Sequence, residues 1–171
     1  LMHIVFGLHC DGLIAAPVEP RFGVCTVGPH GFLAVLETQL ALPVLDVPFT
    51  ARQIAYLDCL AHLDAPQRFY HASFAQDPFS VARTLLRWRD TWYESGWSGR
   101  FAGDVPARLC DMADVERDAL ERVAPGFGQR LQRVTRELAV HRTQIRRVEL
   151  IDAWDVLPPA WQNVLVTLRD H

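Results

Sequence analysis

Hydrophobic positions along the chain alternate between two periods, and the changes of period mark its elements. Residues 3–8 (His3-Ile4-Val5-Phe6-Gly7-Leu8) are a nearly continuous apolar run, the pattern of a strand covered on both faces. Val24-Cys25-Thr26-Val27 reads as a second, β-branched strand. The turn Gly28-Pro29-His30-Gly31 follows, and then Phe32, Leu33, Leu36 and Leu40 recur at helical spacing up to residue 42. Strand, glycine turn and helix therefore succeed one another within 24–42.

Elsewhere the punctuation comes from proline, glycine and capping residues. Residues 13–22 carry Pro17 and Pro20 without a clear period and read as a connecting loop, and 44–49 as extended chain bounded by proline. Thr50 and Gln53 have capping-box spacing, which predicts a helix over 51–63 with Ile54, Leu57 and Leu60 or Ala61 on its inner face. A third strand is expected at 68–74. Asp77-Pro78 opens the longest helix, which ends at Gly96. Val81, Ala82, Leu85, Leu86, Trp88, Trp92 and Tyr93 form its apolar sector, leaving Arg83, Arg87, Asp90 and Glu94 as a solvated charged face. Asp104 and Pro106 cap a helix from 105 or 106 to 123, and Pro125-Gly126-Phe127-Gly128 breaks it. A helix over 129–140 turns Leu131, Val134 and Leu138 inward and Arg130, Arg133 and Arg136 outward. A fourth strand at 145–151 and a short helix at 160–168 complete the order. Strands alternating with helices predict one α/β domain over 1–171, with a mostly parallel sheet, helices on both faces and right-handed crossovers.

Composition narrows the function. Half of the 171 residues are hydrophobic and the net charge is −3, which suits a globular chain with one sizeable core and argues against a uniformly basic surface. No apolar run is long enough to span a bilayer, and the start lacks the n-region and h-region of a signal peptide, so the reading is cytoplasmic with no membrane partner. Cys10, Cys25, Cys59 and Cys110 are scattered without metal-ligand or redox spacing, and read as small buried hydrophobes. All 17 basic residues are arginine; lysine is absent.

That absence decides how the glycine turn is read. A phosphate-binding loop needs a second glycine followed by Lys and Ser or Thr, and after Gly31 this chain has Phe32 and Leu33. Gly28, Pro29, His30 and Gly31 thus form a degenerate loop, with no cofactor, no metal site and no catalytic residue assigned. His30, His62 and His71 lie near element ends where α/β active sites open, and a small hydrolase or transferase using them is one alternative; it requires at least two to converge with a carboxylate. A stand-alone protein-interaction domain with an apolar patch around Trp92 and Trp97 is another. Arg130, Arg133, Arg136, Arg146 and Arg147 are the candidates for DNA phosphate contacts, because the guanidinium fork matches phosphate geometry.

Two stretches carry a family resemblance. Residues 27–37, through Gly28-Pro29-His30-Gly31, and residues 77–90, followed by Tyr93-Glu94-Ser95-Gly96-Trp97, resemble the N-terminal region of bacterial AddB-type proteins. In that family a degenerate superfamily I helicase module precedes a PD-(D/E)XK nuclease domain. The resemblance implies a P-loop NTPase-like fold with a lost Walker A, acting in DNA repair, non-catalytic and structural or DNA-contacting. It implies that the chain is an N-terminal fragment of a longer one, with a downstream nuclease domain and a helicase-type partner subunit. The nuclease motif also requires lysine, so these 171 residues hold no intact nuclease site.

Overall fold

The computed structural model describes residues 2–12 and 22–169. Its elements run β1 (Met2–Phe6), β2 (Val24–Val27), α1 (Pro29–Gln39), α2 (Phe49–Leu63), α3 (His71–Phe74), α4 (Pro78–Glu94), α5 (Ala107–Arg122), α6 (Phe127–Leu138), β3 (Ile145–Leu150) and α7 (Pro159–Arg169), with a 3₁₀ turn at Trp154–Val156. They group into two compact units, one of Leu1–Val44 with Arg130–His171 and the other of Leu45–Gln129. The loop expected over 13–22 falls, except for Phe22, outside the described residues.

The first unit holds a three-stranded parallel sheet in the order β2-β1-β3. Central β1 pairs Ile4 with Cys25 and Val148, and Phe6 with Val27 and Leu150; β3 carries one extra residue, Arg146, opposite the Met2–His3 step. Residues paired in register share a face, so Ile4 and Phe6, both fully buried, look the same way as Val148 and Leu150. On that face the Phe6 ring meets Phe32 of α1 at 5.3 Å and Trp161 of α7 at 4.7 Å, and these two stack on each other. α1 and α7 therefore cover the same side of the sheet. The expected split of flanking helices over both faces does not extend to them, and the opposite face presents exposed Thr26, Arg147 and Glu149.

Glu37 of α1 and Arg130 of α6 join the two sequence segments of this unit. The guanidinium donates from Nε and Nη2 to the two carboxylate oxygens, at 2.8 and 2.7 Å, and both side chains are buried. Each charge is in phase with an apolar stripe: Leu33 lies four residues before Glu37, and Val134 and Leu138 follow Arg130 at i+4 and i+8. Arg130 was expected on the outer face with Arg133 and Arg136; its phase puts it inside, and only a bidentate carboxylate makes that tolerable.

The second unit is helical, built by packing α2 against α4 and α5, with α3 against α4. Its core contains Tyr56, Leu60, Leu86, Met112, Val115 and Ala119. Within it Arg89, 1% exposed, donates to both oxygens of Glu116, which also accepts from the Tyr93 hydroxyl at 2.8 Å. Arg52 makes the same fork with Asp90, at 2.8 and 2.6 Å, while its Nε donates to the Ala124 carbonyl. Asp90 therefore leaves the solvated face expected for it. Gly126 makes room for this fork, because a Cβ there would collide with Asp90 Oδ1 and Arg52 Nη2.

Several local expectations are corrected. The segment 68–74 is a turn followed by α3, not a strand, because its buried aromatics Tyr70 and Phe74 are spaced by four. Arg68 clasps Asp111 and Asp114 of α5 at 2.7 and 2.8 Å, and the Phe69 N–H donates to Asp111 instead of to a ladder. α2 begins at Phe49 after Pro48 without a side-chain cap, and Gln53 donates to the Phe79 carbonyl, so no capping box forms with Thr50. Its buried residues include Arg52, Tyr56 and Cys59, while Ile54 is 51% exposed. Trp88, assigned to the apolar sector of α4, is 46% exposed. Pro106 precedes α5 with no side-chain cap, so Asp104 does not cap it. Asp77 does cap α4, accepting from the Ser80 N–H at 3.0 Å, with Pro78 at the first position. All four cysteines are free; Cys59 is buried, Cys10 and Cys25 half-buried, and Cys110 exposed. Of the four, only Cys59 fits the buried-hydrophobe reading.

Two consequences can be measured. Removing one partner of a buried ion pair leaves an uncompensated charge, so Arg89→Leu or Glu116→Leu alone is expected to cost about 3–5 kcal/mol in urea unfolding, and the double variant less than the sum. Hydrogen bonds from the Ser80 side chain and then its backbone hold the Asp77 carboxyl below the usual carboxylate range. A depressed carboxylate stabilises above its unfolded value, about 3.9, and the contribution is lost as pH falls through the folded value. Asp77→Ala is therefore expected to lower Tm at neutral pH, with a difference from the unaltered chain that shrinks below about pH 4.

Candidate functional site

The strand ends Phe6, Val27 and Leu150 lie at one edge of the parallel sheet, the edge from which α/β proteins usually address ligands. Here the glycine turn enters α1. Gly28 is the residue before the helix, in extended conformation and without a side chain to cap it, and its carbonyl accepts the first helical bond from the Phe32 N–H at 2.8 Å. The cap comes from elsewhere in the chain. Asp11, just beyond β1, accepts from the His30 N–H at 2.5 Å and the Gly31 N–H at 3.0 Å.

This is the geometry by which a helix N-terminus holds an anion: two convergent backbone donors, with the helix dipole favouring negative charge. The anion is the chain's own carboxylate. Both glycines fit it closely. A Cβ on Gly28 would collide with the backbone nitrogen and the carboxylate of Asp11, and one on Gly31 would press on Asp11 Oδ1 at 3.3 Å and Val27 at 3.2 Å. The strand-to-helix passage thus stands where the sequence put it, but Pro29, His30 and Gly31, expected as a turn ahead of the helix, form the first turn of α1, with Gly28 alone before it. Its ligand, Asp11, was missed because an Asp-Gly pair after a strand reads as a simple turn.

A second carboxylate works similarly at the same edge. Asp152, after β3, accepts from the Leu8 N–H at 2.7 Å, and the Ile151 N–H donates to the Phe6 carbonyl. Comparison of the chain with family models, curated proteins and solved structures gives no match.

The remaining candidates separate. His62 Nδ1 lies 3.4 Å from Asp118, and His71 Nδ1 lies 3.0 Å from both oxygens of Asp64, so these two histidines do not share a carboxylate. Burial, and then Asp118 beside it, push the Cys59 thiol up to about 11, which disfavours the thiolate a nucleophile needs. Among the described residues, no three His, Cys, Asp or Glu side chains gather in a metal-binding group, and no helix is long and apolar enough to cross a membrane. Trp92 and Trp97 pack edge-on at 5.4 Å and both meet Phe101, at 5.6 and 5.0 Å. Of the arginines proposed to meet phosphates, Arg130 is committed to Glu37, Arg133 is half-buried, and Arg136, Arg146 and Arg147 are exposed.

The cap has a direct test. Gly28→Ala is expected to destabilise by about 1–3 kcal/mol through steric crowding alone, since φ at this position suits any residue. Adding Asp11→Gly should not recover the loss, because the Asp11 backbone nitrogen still blocks the new methyl group and the His30 and Gly31 N–H groups lose their acceptor. Thermal unfolding of the two variants measures both.

Proposed function

We propose that this chain is an inactivated, helicase-like α/β domain of a bacterial DNA-repair nuclease, with a P-loop-like fold, contributing structure or DNA contacts and no chemistry of its own. The observation that carries the reading is the Asp11 carboxylate on the N-terminus of α1. Strand, glycine turn and helix are retained, but the donors that would meet a nucleotide's phosphate are taken by an internal anion, and a phosphate brought there would be repelled. No lysine exists in the chain to neutralise the β- and γ-phosphates. Internal capping has made a ligand site into a structural joint.

The resemblance to AddB-type proteins supplies the setting, a downstream nuclease domain and a helicase-type partner subunit. In that setting Arg133 and Arg136, one turn apart on α6, are the first candidates for phosphate contacts, followed by the exposed Arg146 and Arg147. Arg130 does not join them, because its guanidinium is occupied by Glu37.

Single-stranded DNA binding followed by fluorescence anisotropy tests this. Affinity is expected to fall steeply between about 50 and 200 mM salt, and Arg133→Ala with Arg136→Ala should reduce the log–log salt slope by roughly 1.4, about 0.7 for each phosphate contact on a single strand. Binding without salt dependence removes the phosphate-contact reading. ATP hydrolysis by the purified chain, abolished by altering Gly28, would overturn the inactivation.

A further inference from the structure

β3 is an edge strand: on the side away from β1 no strand accompanies it among the described residues. Beside that edge opens a groove of about 640 Å³ between β3 and α7. Val148, Leu150, Leu165 and Leu168 give it an apolar lining, and its charged lining residues are Arg146, Arg147 and Arg169, of which Arg147 lies 3.4 Å from Glu149. No aspartate or glutamate is among its described lining residues. Glu149, on the other face of the strand, lies 3.5 Å from His3 and 3.4 Å from Arg147, so it offsets part of the Arg147 charge and leaves Arg146 as the stronger positive group of the edge. Immediately after the strand, Ile151, Trp154 and Val156 are all exposed.

An edge of this kind is a template, because its outward backbone donors and acceptors lie in strand geometry. Proteins usually blunt such edges with proline, charged side chains or bulges, and β3 carries Arg146, Arg147 and Glu149, charges that would repel a second copy of this strand less than they would select an acidic one. β3 has a bulge at Arg146 only, and from Arg147 to Leu150 its register is regular. We propose that this edge accepts an extended, acidic segment of a partner protein as an added strand on β3. Backbone pairing would supply affinity, alternate apolar side chains would enter the groove, and carboxylates would meet Arg146 and Arg147. The charge of the lining selects an acidic occupant. Its aliphatic residues and open ladder select a peptide over a nucleic acid, which has no backbone donors to complete a strand. The site shares Arg146 and Arg147 with the DNA reading and competes for them, whereas Arg133 and Arg136 lie outside its lining and stay available to phosphates.

The probe is a fluorescein-labelled peptide of about twelve residues alternating valine and glutamate, close to the length needed to span a typical strand. Saturable binding to the chain is expected, at least about tenfold tighter than for the valine–lysine counterpart, and weakened about tenfold by Arg146→Glu with Arg147→Glu. Amide exchange over 145–150 should slow only with the acidic peptide. Both arginines are exposed, and an unchanged circular dichroism spectrum checks that the variant folds; the valine–lysine comparison on the unaltered chain does not depend on it. The proposal is overturned by failure of the acidic peptide to bind, by binding that the charge reversal leaves unchanged, or by exchange protection outside β3. Displacement of the peptide by oligothymidylate at equal or lower concentration makes the groove a nucleic-acid site and also overturns it, as does a dimer of the chain closed through this edge.

Discussion

An arginine cannot shed its proton on burial, so each one taken inside fixes a carboxylate opposite it. This constraint organises both units. Glu37 and Arg130, 93 residues apart in sequence, join the two segments of the sheet-bearing unit. Arg52 with Asp90, and Arg89 with Glu116 and Tyr93, tie together the helices of the other. In each case the guanidinium uses two nitrogens on two oxygens, the geometry in which a planar fork loses least by leaving water. Such pairs contribute little net stability compared with apolar substitutes. They specify which helix faces which, since a shifted packing would strand a charge.

The same economy governs the glycine turn. A helix N-terminus at the edge of a parallel sheet offers donors that must be satisfied by ligand, solvent or chain. Here the chain satisfies them itself through Asp11, with Gly28 and Gly31 permitting the approach. Glycines in a strand–turn–helix are commonly read as room for a phosphate; in this protein the room is filled from within. The turn therefore has a structural use of its own, as the joint between the loop after β1 and the start of α1.

Polar choices also explain the open edge. Arg147 and Glu149 point to the solvent-facing side of the sheet while Val148 and Leu150 turn toward the helix-covered side, so the outer margin of β3 combines a free ladder with an apolar wall. Arg146, at the bulge, is exposed and adds a second positive charge to that margin.

The sequence by itself determined the elements whose signals are local. β1, β2, β3 and the long α4 follow from apolar runs, helical spacing and the Asp77-Pro78 start. Parallel pairing was also legible, from strands separated by helices. Tertiary structure alone decided where the charges went. Arg52, Arg89, Arg130, Glu37 and Glu116 all lie in phase with apolar stripes, a signal present in the sequence, but the phase cannot name the partner, because partners are set by packing of distant elements. For the same reason Asp11 reads as a turn residue until β1 and β2 are paired. Only their parallel register carries the loop after β1 to the start of α1, where its carboxylate meets the two free N–H groups.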